Sequence, residues 1–130
     1  MCNFEEETYK VMETIEEKEL CISIFFSLVG NFNFVDCLNN FKNKRGFGIE
    51  EVMILFRQSF DEWERFRCQE NEVALVMYYP AAEEDTIGYM DFKEFYPYVY
   101  KRAQEYISSH PKRKEEVTRL LKEIKESWGI

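Results

Sequence analysis

The run Val73-Ala74-Leu75-Val76-Met77-Tyr78-Tyr79, stopped by Pro80, limits the folds open to this chain more than any other stretch. Its β-branched and aromatic residues suit a buried strand, and proline, which has no N–H to give to a ladder, ends it. Ala81 to Asp85 form a polar, acidic turn, and Thr86 to Met90 is a second, shorter extended run. Together they predict a hairpin near residues 73–90, with a loop longer than the commonest type.

Helical patterns dominate on both sides. From about Phe4 to Lys18, Phe4, Val11, Met12 and Ile15 recur among glutamates, which predicts an amphipathic helix with an acidic outer face. The apolar run Leu20 to Val29 fits either a buried strand or an extension of that helix into the core. After the Gly30 to Asn33 turn, Asn33 is placed to cap a helix carrying Phe34, Cys37, Leu38 and Phe41 inward, with Gly46 as its end. Ile49 to Phe60 has weak helical spacing through Val52, Leu55 and Phe56. Asp91 and Glu94 resemble a capping box for a helix reaching Ser109, which Pro97 kinks or begins in its regular part. Pro111 opens a last helix with Val117, Leu120, Leu121, Ile124 and Trp128 inward, and Glu115 faces Arg119 one turn later. The expected architecture is α+β and mostly helical, with a small antiparallel sheet and a C-terminal helical hairpin, in one domain over residues 1–130.

Charge is distributed in blocks. Residues 1–20 carry seven acids and two bases and residues 61–95 carry ten acids and three bases, giving −5 and −7. Residues 21–60 and 96–130 come to +1 and +3, which completes the net −8. Clustered carboxylates repel nucleic-acid phosphates and attract a basic protein surface. Glu5-Glu6-Glu7 and Glu16-Glu17 suit the solvated side of a helix. The stretch from Asp61 to Asp85 differs, because its carboxylates alternate with Phe60, Trp63, Phe66, Tyr78 and Tyr79, the mixture an interface anchor needs.

Catalysis finds little support in these residues. Cys2, Cys21, Cys37 and Cys68 are far apart and His110 is the only histidine, so spacing assembles no zinc site, and reduced thiols are expected. His110 precedes Pro111 at a helix start, where capping or solvent exposure explains it. Gly46-Phe47-Gly48 lacks the lysine and serine of a phosphate loop, and Glu83 with Glu84 reads as a solvated run rather than a glycosidase pair. A calcium loop is the main rival. Gly88 and Glu94 occupy positions six and twelve of an EF-hand, but Glu83 stands at position one and Ile87, with no side-chain oxygen, at position five. No cofactor or metal is expected. The first residues have neither a basic nor an apolar leader segment, and no apolar run is long enough to span a membrane.

The chain resembles the ribonuclease-toxin immunity proteins of bacterial contact-dependent growth inhibition, the CdiI family. The likeness extends from about Leu20 to Ile124. It is carried by Leu20-Cys21-Ile22-Ser23-Ile24-Phe25-Phe26, Lys44-Arg45-Gly46-Phe47-Gly48, Glu62-Trp63-Glu64, and the pattern Phe92, Phe95-Tyr96, Tyr106-Ile107, His110-Pro111, Leu120-Leu121. The resemblance implies a cytoplasmic, non-enzymatic inhibitor. Such a protein is a monomer that forms a heterodimeric complex with a cognate toxin nuclease domain and covers that domain's active site or RNA-binding surface. On that reading the toxin contacts are Asp61, Glu62, Glu64, Glu70, Glu72, Glu83, Glu84 and Asp85, with Trp63 as an anchor. A calcium-binding protein and an acidic nucleic-acid mimic against another basic target are the alternatives.

Overall fold

The computed structural model describes residues 8–130. Strand β1 (Lys10–Val11) is followed by helix α1 (Ile15–Val29). The expected helix over Phe4 to Lys18 is therefore corrected: Lys10 and Val11 are extended, and the portion through Glu7 lies outside the described residues. Thr14 starts α1 instead, its side chain accepting the Glu17 N–H at 3.2 Å. Glu16 and Glu17 then sit in the first turn, where the helix dipole favours anions. The ambiguous run after Leu20 is helical. Cys21, Ile22, Phe25, Phe26 and Val29 are buried at the spacing of one helix face, so a capped helix hides them without a sheet partner. Gly30, with φ of +60°, ends α1 by donating to the Phe26 carbonyl at 3.0 Å.

Helix α2 (Phe34–Lys42) buries Phe34, Cys37, Leu38 and Phe41 as its spacing predicts, although the Asn33 side chain makes no capping bond. Gly46 lies beyond its end. A side chain there would meet Leu55 Cδ2 at 2.8 Å, so the glycine serves close packing instead of helix termination.

The weak helical reading of Ile49 to Phe60 is corrected to a hairpin of β2 (Phe47–Ile49) and β3 (Val52–Leu55), followed by a 3-10 turn over Arg57–Ser59. Val52 and Ile54 are buried and point one way, which is the period of a strand. Strands β4 (Glu72–Met77) and β5 (Thr86–Asp91) form the expected hairpin at the centre of a five-stranded sheet of order β1-β5-β4-β3-β2. Only β1 with β5 is parallel: Lys10 pairs with Thr86, and the Lys10 and Met12 N–H groups donate to the Asp85 and Ile87 carbonyls at 2.9 and 2.7 Å.

Asp91 caps α3 (Phe92–Ser109) by accepting the Glu94 N–H at 2.8 Å, and Pro97 lies inside that helix rather than at its start. Pro111 opens a 3-10 turn, and α4 (Lys114–Trp128) follows with the expected five residues buried. The two helices form the C-terminal hairpin, and α4 also packs on α2. Arg119 pairs with Glu123 at 3.0 Å, not with Glu115.

Alternation along the strands divides the core. Val73, Leu75 and Met77 face the helices, while Ala74 and Val76, with Ile87 of β5, face the other way and are covered by Phe60 and Cys68 of the β3–β4 connection. Cys21, Cys37 and Cys68 are buried free thiols. Burial pushes Cys21 up to about 12 and Cys68 up to about 11, and it raises Cys37 as well. Since the thiolate is the reactive form, iodoacetamide at mildly alkaline pH is expected to leave these three unlabelled in native protein and to label them after denaturation. Peptide mapping that finds any of them alkylated in the folded state contradicts this packing.

Candidate interaction surface

The connection between β3 and β4 crosses the sheet face opposite the helices and is held at several points. The Tyr89 hydroxyl donates to the Phe66 carbonyl at 2.6 Å, Arg57 to the Cys68 carbonyl at 3.2 Å, and Arg67 Nε to the Arg57 carbonyl at 3.2 Å. Burial also pushes the Tyr89 hydroxyl up to about 12, so it is a lasting donor. The Phe66 ring meets Tyr9 edge-on at 4.9 Å, and the Tyr9 and Tyr78 hydroxyls lie 3.1 Å apart.

At the outer bend, the Asp61 N–H donates to the Glu64 carboxylate while the Glu64 N–H donates to the Asp61 carbonyl at 3.1 Å. This reciprocal closure holds Trp63 at the tip with 79% of its surface exposed. The loop closes where the Gln69 N–H meets Glu72 Oε1 at 2.9 Å. In the β4–β5 turn, Asp85 accepts the Tyr79 N–H at 3.0 Å and Thr86 Oγ1 donates to the Glu84 carbonyl at 2.8 Å.

The nine residues singled out in the sequence thus fall into two groups. Glu64, Glu72 and Asp85 are half-buried and hold backbone N–H groups, so their carboxylates shape the surface. Asp61, Glu62, Trp63, Glu70, Glu83 and Glu84 are exposed, and none of these carboxylates is in an ion pair among the described residues. They form a broad surface rather than a point. Glu72 begins β4 and Glu83 follows its far end, a strand length of about 17 Å. Of the neighbouring aromatics, Phe60 is core and Phe66 and Tyr78 are partly covered, whereas Tyr79 is 70% exposed.

A second feature was not legible in the sequence. Beside the β4–β5 turn, a groove of about 290 Å³ runs between that turn and α1. Met12, Leu20, Ile24 and Met77 supply apolar lining, and Glu17, Glu83 and Glu84 stand around it. With β1 paired to β5 and α1 packed on the sheet, Glu17 of the first acidic block stands at the turn of the second. The larger depression between α1 and α3, about 550 Å³, is bridged by two polar pairs, Tyr98 with Glu19 at 2.9 Å and Arg102 with Asn31 at 2.8 Å.

The calcium-loop arrangement is absent from the fold. Thr86–Asp91 is extended in the sheet, and a side chain on Gly88 would lie 2.6 Å from the Met12 sulfur, so this glycine admits β1 packing instead of turning a loop. Among the described residues no group of three or more His, Cys, Asp or Glu is placed to hold a metal ion. His110 stacks on Tyr106 at 4.4 Å with its Nδ1 at 3.2 Å from the Tyr106 carbonyl, a local contact at the end of α3.

Residues 17–121, from the first turn of α1 into α4, match the model of the CDI immunity protein family. The chain belongs to the CDI immunity protein family. Curated proteins provide no match. For a CDI immunity protein the relevant chemistry is recognition of a cognate toxin, and both acidic segments, the β3–β4 connection and the β4–β5 turn, lie inside the matched region. No helix among the described residues of this immunity protein is long and apolar enough to cross a membrane.

Proposed function

We propose that this immunity protein acts in the cytoplasm as a monomer that binds the ribonuclease domain of its cognate toxin and covers that domain's basic active-site or RNA-binding surface. What supports the reading most is Trp63, held exposed on a pinned loop beside carboxylates without ion-pair partners. A nuclease must hold phosphates with cations, so an inhibitor that presents Asp61, Glu62, Glu70, Glu83 and Glu84 competes for the same field. Inhibition is steric and electrostatic, with no bond made or broken. Glu64, Glu72 and Asp85 contribute by keeping the loops in shape.

The cognate toxin domain provides the test. Equimolar immunity protein is expected to abolish its RNA cleavage, and the double reversal E83K/E84K is expected to slow association about ten-fold at low salt, with the difference shrinking as salt rises. Undiminished cleavage in the presence of excess immunity protein defeats the proposal. Association that is independent of salt for both proteins defeats its electrostatic part.

A further inference from the structure

Resting on the reading of a toxin-binding protein, we infer that the groove between α1 and the β4–β5 turn receives a basic, amphipathic segment of the cognate toxin, with an Arg or Lys side chain laid along its floor. Two properties of the groove select that chemistry. Its apolar floor, formed by buried Met12 and Met77, reaches solvent at Leu20, which is 60% exposed and about one turn along α1 from both Glu17 and Ile24. Its edge is acidic, because Glu17, Glu83 and Glu84 face only Lys10, and none of the four is in an ion pair among the described residues.

An aliphatic stem ending in a cation satisfies both at once, since the stem covers Leu20 and Ile24 while the head reaches the carboxylates. An acidic or purely apolar segment would repel the three carboxylates or desolvate them against the single cation of Lys10 on the groove lining. The volume of about 290 Å³ lies at the lower limit of the range for small-molecule pockets, roughly 300–1,000 Å³, and suits one or two long side chains. The groove is contiguous with Glu83 and Glu84 of the proposed toxin surface, so one partner can engage both.

Two variants and two ligands separate this inference from the function it rests on. L20K puts a cation at the groove and leaves every acidic residue in place, and F32K, in the turn between α1 and α2, is the control for added charge on a residue that is 95% exposed. The first ligand is a capped peptide of alternating arginine and leucine, followed by amide chemical shifts and compared with its glutamate and leucine counterpart. Saturable shifts centred on Met12, Leu20, Ile24 and Ala82 are expected with the basic peptide alone, and L20K is expected to weaken them about ten-fold. The second ligand is the toxin domain, whose affinity is expected to fall about ten-fold in L20K and to be unchanged in F32K. Shifts spread evenly over all acidic residues, or wild-type toxin affinity in L20K, overturn the groove assignment while the immunity function stands. A toxin domain that fails to bind wild-type protein overturns the function instead, and the peptide shifts then decide the groove by themselves.

Discussion

Replacing Trp63 by alanine is expected to weaken capture of the toxin domain by about 30- to 1,000-fold, the equivalent of about 2–4 kcal/mol for an interface anchor, while hardly changing the fold. Trp63 is 79% exposed and makes no ring contact among the described residues, so its removal opens no cavity. Substitutions of that kind shift stability by no more than about 0.5 kcal/mol, which moves the melting temperature by only about 2 °C in a chain of this size. The bend that presents it is closed by the Asp61 and Glu64 backbone and carboxylate, none of which the substitution touches. Most of the loss should be in the dissociation rate, because the ring acts by excluding water in the complex and contributes nothing to long-range steering. Surface plasmon resonance together with a thermal melt checks both halves. Affinity within about two-fold of wild type would remove Trp63 from the interface and leave only the charges.

The largest stability loss is expected at Trp128. Its ring is 5% exposed and stacks on Phe92 at 4.8 Å, with Phe56 at 5.7 Å and Phe95 at 6.1 Å. Its Nε1 donates to the Phe41 carbonyl at 3.0 Å, joining the last turn of α4 to the last turn of α2. Trp128→Ala therefore removes a large buried ring and a buried hydrogen bond together, a cost of about 3–5 kcal/mol and roughly 10–20 °C in melting temperature. Trp128→Phe keeps an aromatic ring and loses the bond and part of the volume, so a cost of about 1–2 kcal/mol is expected. Calorimetric melts of both variants check the ordering. An alanine variant that unfolds within about 1 kcal/mol of wild type would mean that the end of α4 is not docked on the aromatic cluster.

What could be read along the chain depended on how far away each residue's partner was. The Asp91 cap, the inward stripe of α2 and the inward stripe of α4 were legible because their determinants lie within one or two turns. The β4–β5 hairpin was legible from its apolar run and its turn. Hairpin β2–β3 was not, because its turn is Glu50-Glu51 and lacks the Gly or Asn that usually announces one, although Glu50 adopts a φ of +55°. Strand β1 was hidden for a different reason. Lys10 and Val11 carry no strand signal, and they are extended only because β5, remote in sequence, offers the Asp85 and Ile87 carbonyls.

The candidate surface was legible to the same degree. Residue types alone marked Asp61 to Asp85 as acidic and aromatic, and six of the nine singled-out positions are exposed there. The division between freely exposed carboxylates and those that shape the loops was not visible, since a carboxylate in the sequence does not reveal whether its oxygens will hold a backbone N–H. Glu64, Glu72 and Asp85 do so. By itself the sequence determined the chain's own uneven negative charge, the family, and the helical faces that turn inward, because these follow from composition and short-range spacing. Only the tertiary structure decided which carboxylates share a surface. With β1 paired to β5, Glu17 stands beside Glu83 and Glu84 around an apolar groove, which joins carboxylates more than sixty residues apart along the chain.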